Sequence, residues 1–415
     1  MSRSSCPRAE RSCRSCAFSF FRWAGRAAPR AGPASHTDTN DGRNGTAYAA
    51  VTVRHGCHDD PVSNTARAHA GDEKHFASLV GPYRRELHLH CYRMLGSVTD
   101  ADDVLQDTML AAWQGLDRFA GRAALRTWLY RIATNRCLNA IRDGKRRPPA
   151  APVPPFEPPT PSRRGEVTWL QPYPDAWLDP RPAHTHDPAE HLHTRESIEL
   201  TFITALQRLP PRQASAVILG DVLDFHPGEI AAMLGVTPTA VKGLLQRGRT
   251  ALARQEPHAA GNVTEASSRH EAALARRFAE AFTRDDIDCV VALLTDDAWL
   301  AMPPAPHLYH GRAAIAEFLH ASADARRGRH FELRPTSANT QPAFISSLSG
   351  EPTGVLVLTV TGRQISRVTH FLDPQLPALF DRLTAGIALE HTESETTAAG
   401  RSDVGRSAHL PPTLD

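Results

Sequence analysis

The chain has 415 residues, 41% of them hydrophobic, which suits two or three packed domains. Its 47 Lys and Arg against 45 Asp and Glu leave a net charge of +2, so any nucleic-acid surface must be local. No run of eighteen apolar residues occurs, which excludes a helical membrane span.

Residues 1–71 are rich in Arg, Ala, Ser, Gly and Pro and show no sustained periodicity. They read as a disordered tail, or as an extension from an early start codon. Arg22 breaks the apolar stretch Ala17–Ala24 before it could act as a secretory signal. Cys6, Cys13 and Cys16 lie close together, but no further His or Cys completes a zinc site, so no metal or cofactor is expected. Residues 72–147 form the first ordered unit. Phe76, Leu79, Val80, Tyr83, Leu87, Cys91 and Leu95 fall on one helical face, with a break at Gly81-Pro82. His88 and His90 are expected at the surface or boundary. Cys91, Cys137 and Cys289 sit in apolar helical patterns and read as buried thiols of a reducing cytoplasm.

Ser97–Arg147 reads as two helices joined by a short loop. The first starts after Thr99 or Asp100, each an acceptable N-cap. Val104, Leu105, Met109, Ala112 and Trp113 form its apolar face; Asp102, Asp103, Gln106 and Asp107 form an acidic one. The second runs from about Ala124 to Arg142. It buries Trp128, Leu129, Ile132, Ala133 and Leu138 or Ile141, and exposes Arg126, Arg131, Asn135, Arg136, Asn139 and Arg142. An acidic helix followed by a basic, amide-rich one suits two partners of opposite kind, a basic protein surface and a nucleic acid.

DADDVLQDTMLAAW followed by RTWLYRIATNRCLNAIR resembles region 2 of bacterial sigma-70-type initiation factors, of the small extracytoplasmic-function class. The resemblance implies that Asp102, Asp103, Gln106 and Asp107 bind the β′ clamp helices of core RNA polymerase. It also implies that the loop 119–125 and the following helix capture a flipped base of the −10 promoter element. Gly115, Phe119, Ile132, Asn135 and Asn139 fall where the family lines that pocket. An Asn amide offers a base edge both donor and acceptor. Arg126, Arg131 and Arg142 would hold phosphates. The bland alternative is that Asn135 and Asn139 are polar helix surface.

Residues 148–188 are a linker in which three Pro-Pro pairs favour extended backbone. The aromatics Trp169, Tyr173 and Trp177 are too apolar for a free linker and must dock, either in the polymerase cleft or on this chain's own C-terminal domain. Residues 189–257 form a second helical unit. A first helix carries Leu192, Ile198, Leu200, Ile203, Leu206 and Leu209, and Arg212–Leu223 a second. PGEIAAMLGVTPTAVKGLLQRGRTALA then reads as helix–turn–helix, with Gly235 as the stop, Thr237 as the next cap and Pro238 at the first position. It resembles sigma region 4, which implies contacts with the polymerase β flap and with −35 DNA through Thr237, Lys242, Gln246, Arg247 and Arg249. Lys242, Gly243 and Gln246 depart from the family's common residues there.

Residues 264–385 have a different grain: amphipathic helices, then strand-like segments at Leu294–Pro304, His330–Pro335, Gln341–Leu348, Gly354–Val360 and Ile365–Phe371, with YHGRAAIAEFL as a turn into a helix. Helices followed by antiparallel strands indicate an α+β cone. MPP, HGR and QPAF resemble segments of the SnoaL-like fold of the nuclear-transport-factor superfamily. Such a fold implies a pocket, with Trp299, Met302, Tyr309, Phe344 and Phe371 as candidate lining and a small molecule as a further candidate ligand. Relatives in that superfamily isomerise or cyclise substrates with a pocket carboxylate. Here Asp296 and Asp297 sit at a turn, where solvated capping is the plainer reading. Residues 386–415 read as a second disordered tail.

The expected architecture is therefore two all-α sigma units, a helical bundle and a helix–turn–helix, followed by an α+β SnoaL-like cone. The expected function is binding core RNA polymerase and directing promoter-specific initiation without bond chemistry, the third domain regulating in cis. The alternative is an isomerase, cyclase or ligand sensor fused to DNA-binding helices.

Overall fold

The computed structural model describes residues 73–119, 124–144, 156–164, 170–178, 197–254 and 265–381. Both tails, with Cys6, Cys13 and Cys16, and also Trp169 and Leu192, lie outside the described residues. No helix among the described residues is long and apolar enough to cross a membrane.

The first unit is α1 (Glu73–Val80), α2 (Arg84–Leu95), α3 (Val98–Gly115) and α4 (Leu125–Arg142). A 3-10 turn at Gly81–Tyr83 separates α1 from α2, where Pro82 withholds an amide donor. Gly96 ends α2 in the left-handed region, at φ 70°. Ser97 then caps α3, its Oγ accepting from the Asp100 N–H at 3.1 Å. The cap therefore precedes Thr99 and Asp100, because only Gly96 and Ser97 lie between the two helices. α4 buries Leu129, Tyr130, Ala133, Thr134 and Cys137, while Trp128, Ile132, Leu138 and Ile141 are only partly covered. Its inward face is rotated from the expected one because α4 is shared between this bundle and the next.

His88 and His90 are buried, not at the boundary. Each has a neutral hydrogen-bond partner: His88 Nδ1 lies 3.0 Å from the Tyr173 hydroxyl, and His90 Nε2 lies 2.9 Å from Thr134 Oγ1. Burial pushes His88 down to about 4 and His90 to about 3, so both are neutral imidazoles near pH 7.

The second unit is α5 (Leu200–Gln207), α6 (Pro211–Val217), α7 (Pro227–Leu234) and α8 (Pro238–Ala253). α6 continues into a π turn at Ile218–Val222. Gly235 closes α7 at φ 63°, and Thr237 Oγ1 accepts from the Ala240 N–H at 3.2 Å to cap α8.

The third unit holds α9 (Glu265–Thr283), α10 (Ile287–Ala292) and α11 (Arg312–Arg326) against a seven-stranded sheet. Its strands are β1 (Arg163–Arg164), β2 (Leu294–Met302), β3 (Ala305–His310), β4 (Phe331–Ala338), β5 (Gln341–Leu348), β6 (Glu351–Thr361) and β7 (Gln364–Phe371), in the order β1-β3-β2-β7-β6-β5-β4. β2 and β7 are parallel and every other pair is antiparallel. Residues 305–308, given no element from sequence, and Tyr309 and His310, expected in a turn, form β3, with Ala305, His307 and Tyr309 inward at strand period. Cys289 is exposed, because short α10 turns only Ile287 and Val290 inward.

The sheet is buried on both faces. Phe344, Leu356, Leu358 and Val368 join the cone's own core with α9 and α11. Ala343, Ile345, Val355, Val357 and Phe371 join the core that runs through both helical units. Alternation along each strand sends neighbouring residues into different cores.

Two outcomes are expected. At Gly354, φ is 148° and an added Cβ would lie 1.8 Å from the Phe371 carbonyl oxygen. Gly354→Ala should therefore lower stability by ~3 kcal/mol in urea unfolding. For His88 and His90 the folded pKa lies below the unfolded value. Their contribution is complete above about pH 6.5 and is lost as pH falls towards 4, at about 1.4 kcal/mol per pH unit for each fully buried imidazole. Urea unfolding at pH 7.5 and pH 5 checks this, and equal stability at both would refute it.

Candidate nucleic-acid interface and ligand cavity

The acidic face of α3 is open. Asp103, Gln106 and Asp107 are exposed and Asp102 is half-buried. Leu110 shares that face, one turn after Gln106 and Asp107, and is 56% exposed. It is the large hydrophobic side chain most clearly left to solvent among the described residues. The sequence reading missed it, although its spacing from Asp103, Gln106 and Asp107 is visible on a helical wheel.

The basic, amide-rich helix α4 is partly covered. Gly115, Phe119 and Trp128 meet at its start: the Phe119 and Trp128 rings are 4.9 Å apart, and a Cβ on Gly115 would touch Trp128 at 3.4 Å. Arg126 bonds Glu86 at 3.3 Å and lies over the rings of Tyr130 and Phe225, at 4.9 and 4.7 Å. Ile132 is half-buried. Arg131, Asn135, Asn139 and Arg142 are exposed. Asn135 nevertheless donates to the carbonyls of Arg131, at 2.8 Å, and of Met233 in α7, at 3.4 Å. Thr127 donates to Glu229, also on α7, at 2.9 Å, and Tyr130 packs on Phe225 with centroids 5.1 Å apart. The first helix of the helix–turn–helix thus lies on the helix expected to hold −10 DNA.

The second helix of that motif, α8, faces outward. Thr237, Lys242, Gln246 and Arg247 are exposed. Arg249 is also at the surface, but its Nε donates to Asp221 at 2.9 Å, so its charge is already matched.

The linker aromatics dock inside the protein. Tyr173 is 1% exposed and Trp177 half-buried, both against His88. Gln171 seals the start of α3, its Oε1 accepting from Ser97 Oγ, Thr99 N–H and Thr99 Oγ1 at 3.1–3.2 Å. Opposite stands the β4–β5 hairpin, whose tip residue Asn339 is fully buried. Asn339 Nδ2 donates to Tyr92 Oη at 2.9 Å and to the Ile198 carbonyl at 2.7 Å. Its Oδ1 accepts from the Tyr173 N–H at 2.7 Å, and its own N–H donates to the Tyr173 carbonyl at 2.8 Å. One side chain ties the first unit, the linker, the approach to the second unit and the third unit together. The sequence analysis did not single out Asn339.

Between the sheet's inner face and α9 and α11 lies a cavity of about 170 Å³. Of the five side chains expected to line it, Met302 does so. Phe344 and Tyr309 are packed into the surrounding core, Trp299 lies against His310, and Phe371 faces the helical units. Strand alternation explains Phe371: its neighbours Val368 and His370 take the inner face. No lining residue is a carboxylate. Asp296 and Asp297 are exposed on β2, and Asp296 pairs with Arg312 at 2.9 Å. The lining therefore offers no carboxylate of the kind expected there, and His370 is its imidazole.

Comparison with known proteins gives three family matches in the same order as the units. Residues 79–147 match Sigma-70 region 2, residues 199–252 match Sigma-70 region 4, and residues 275–373 match the SnoaL-like domain. The ECF RNA polymerase sigma factor SigG of Mycobacterium tuberculosis is 39% identical over 323 residues, covering 76% of this chain and 86% of that protein. The ECF RNA polymerase sigma factor SigW of Bacillus subtilis is 29% identical over 185 residues, 45% of this chain and 90% of its own. Among solved structures, the extracytoplasmic function sigma factor SigJ of Mycobacterium tuberculosis aligns with a TM-score of 0.47 and 19% identity, over 72% of this chain and 97% of its own. The similarity to SigG extends through both sigma regions into the third unit, and the chain belongs to the extracytoplasmic-function family of RNA polymerase sigma factors.

Proposed function

We propose that this sigma factor directs promoter-specific initiation by core RNA polymerase and is held closed, until it is needed, by its own C-terminal unit. In this reading residues 72–147 and 189–257 are the two sigma units and 264–385 the unit that clasps them. Asp102, Asp103, Gln106 and Asp107 engage the β′ clamp helices, and Leu110 gives that polar face an apolar anchor. Gly115, Phe119, Ile132, Asn135 and Asn139 receive an unpaired −10 base, with Arg126, Arg131 and Arg142 on phosphates. Thr237, Lys242, Gln246 and Arg247 enter the −35 groove, joined by Arg249 once Asp221 lets it go. The second unit also meets the β flap.

The observation that carries the closed state is the contact between α4 and α7, 2.9 Å at Thr127 and Glu229. The −10 and −35 elements are separated by about 25 base pairs, roughly 85 Å at 3.4 Å per pair. Two reading helices within one core cannot reach both elements together. The sigma units must part before both are read. Asn339 opposes that parting, because it binds Tyr92, Tyr173 and Ile198 at once.

Run-off transcription with purified core polymerase over a promoter library tests this. Asn339→Ala removes three side-chain hydrogen bonds and should raise full-length transcription severalfold; a chain ending after Glu256 should do the same. Unchanged transcription from both variants at every promoter would refute the closed-state reading. Separately, Asp103→Lys with Asp107→Lys should abolish co-purification with core polymerase; retained binding would show that the acidic face is not the docking surface.

A further inference from the structure

The cavity of the third unit has no role in the reading above, and three of its properties together define an occupant. The first is its wall, formed by Phe278, Leu300, Phe318 and Leu356 among others. Apolar cavities of about 150 Å³ accept a single ring. The second is one unused polar atom. Thr353 Oγ1 donates to Ser346 Oγ at 2.8 Å, and Ser346 Oγ lies 2.9 Å from His370 Nε2. The serine proton is thereby directed to Nε2, which places the imidazole proton on Nδ1. Nδ1 has no protein partner among the described residues, and His370 lines the cavity. At the rim, Arg326 is paired with Asp285, and exposed Arg329 donates its Nε to the Arg326 carbonyl at 3.4 Å.

The third property is that one wall belongs to the connector between the sigma units. Phe156 lines the cavity, its ring 5.7 Å from that of Phe318. The residues after it are fastened to the same domain. The Tyr309 hydroxyl donates to the Pro159 carbonyl at 2.8 Å, the His310 N–H donates to Ser162 Oγ at 3.0 Å, and β1 pairs with β3.

We propose that this cavity binds a neutral single-ring molecule bearing a carbonyl, received by the His370 Nδ1–H and laid against Phe156. The space exists with Phe156 seated, so an occupant adds contacts to that ring and tightens residues 156–164 on the third unit. Binding then favours the closed chain. This consequence rests on the closed-state reading; the site itself does not.

The probe is 4-fluoroacetophenone, titrated into the full-length chain and followed by fluorine NMR. Saturable binding is expected, with 4-fluoroethylbenzene, which lacks the acceptor, roughly tenfold weaker. Leu319→Trp should abolish binding by filling the cavity. Ala325→Phe, at an exposed helical position on the rim, should block it without entering the core. His370→Leu should make ketone and hydrocarbon equal. Trypsin cleavage after Arg163 and Arg164 should slow about threefold with saturating probe, and not at all in Phe156→Ala. No saturable binding, binding that survives both blocking variants, or equal affinity for ketone and hydrocarbon in the wild-type chain would overturn the proposal. A chain that takes no ring but is activated by Asn339→Ala would sink this site and leave the closed state standing. A chain that takes the ring but is indifferent to Asn339→Ala would do the reverse.

Discussion

A buried asparagine must satisfy two side-chain donor hydrogens and an acceptor oxygen, and at position 339 these are met by residues from three separate parts of the chain. If any one part moves away, the amide is left buried and unpaired, at a cost of about 1–3 kcal/mol for each unmet group. The left-handed backbone at Asn339, φ 55°, is one that Asn tolerates better than most residues. Neighbouring bonds reinforce the node: the Thr340 N–H donates to Asp175 at 2.8 Å, and Pro174 bridges to Ala338. Hydrogen bonds of this kind fix geometry more than they add net stability, so Asn339 sets how the units sit, and apolar burial supplies the force.

That force comes from the outer face of the sheet. Val355, Val357 and Phe371 are essentially inaccessible, in one continuous core with α2 and the linker residues Leu170 and Tyr173. Each such side chain contributes about 1.5–3 kcal/mol on burial. An interface of this character resembles a domain core more than a passing contact. Shifting a two-state equilibrium from one part open in a hundred to the reverse needs about 5.5 kcal/mol of differential binding. On the proposed reading, polymerase and promoter together supply that by each binding the open chain better.

Closure does not hide the two sigma units equally. The acidic face of α3 and the outward side of α8 remain accessible, whereas α4 shares its flank with α7. On the proposed reading, a protein partner can therefore be met first, with the helix proposed to hold −10 DNA freed afterwards. The connector is placed to influence that sequence, because it leaves α4, lays β1 on the sheet of the third unit and contributes Phe156 to its cavity.

The helices, the helix–turn–helix and the family were legible in the sequence, because these are local properties: apolar spacing, Gly235 at a helix end, Thr237 before Pro238, and two motifs in the right order, although the cap of α3 fell at Ser97 and not at Thr99 or Asp100. Strand β3 was not, since a six-residue strand with Pro306 and two histidines looks like a turn. The lining of the cavity was read for the wrong face at Phe371, because a strand residue buried on either side of a sheet has the same composition. His88 and His90 were misplaced for a related reason: their hydrogen-bond partners, Tyr173 and Thr134, are 85 and 44 residues away. By itself, then, the sequence determined which segments are helix, which surfaces are acidic or basic, and to which family they belong. Only the tertiary structure decided that the units carrying those surfaces are packed against one another, because burial on both faces of a sheet and a four-bond asparagine depend on distances between residues far apart in the chain.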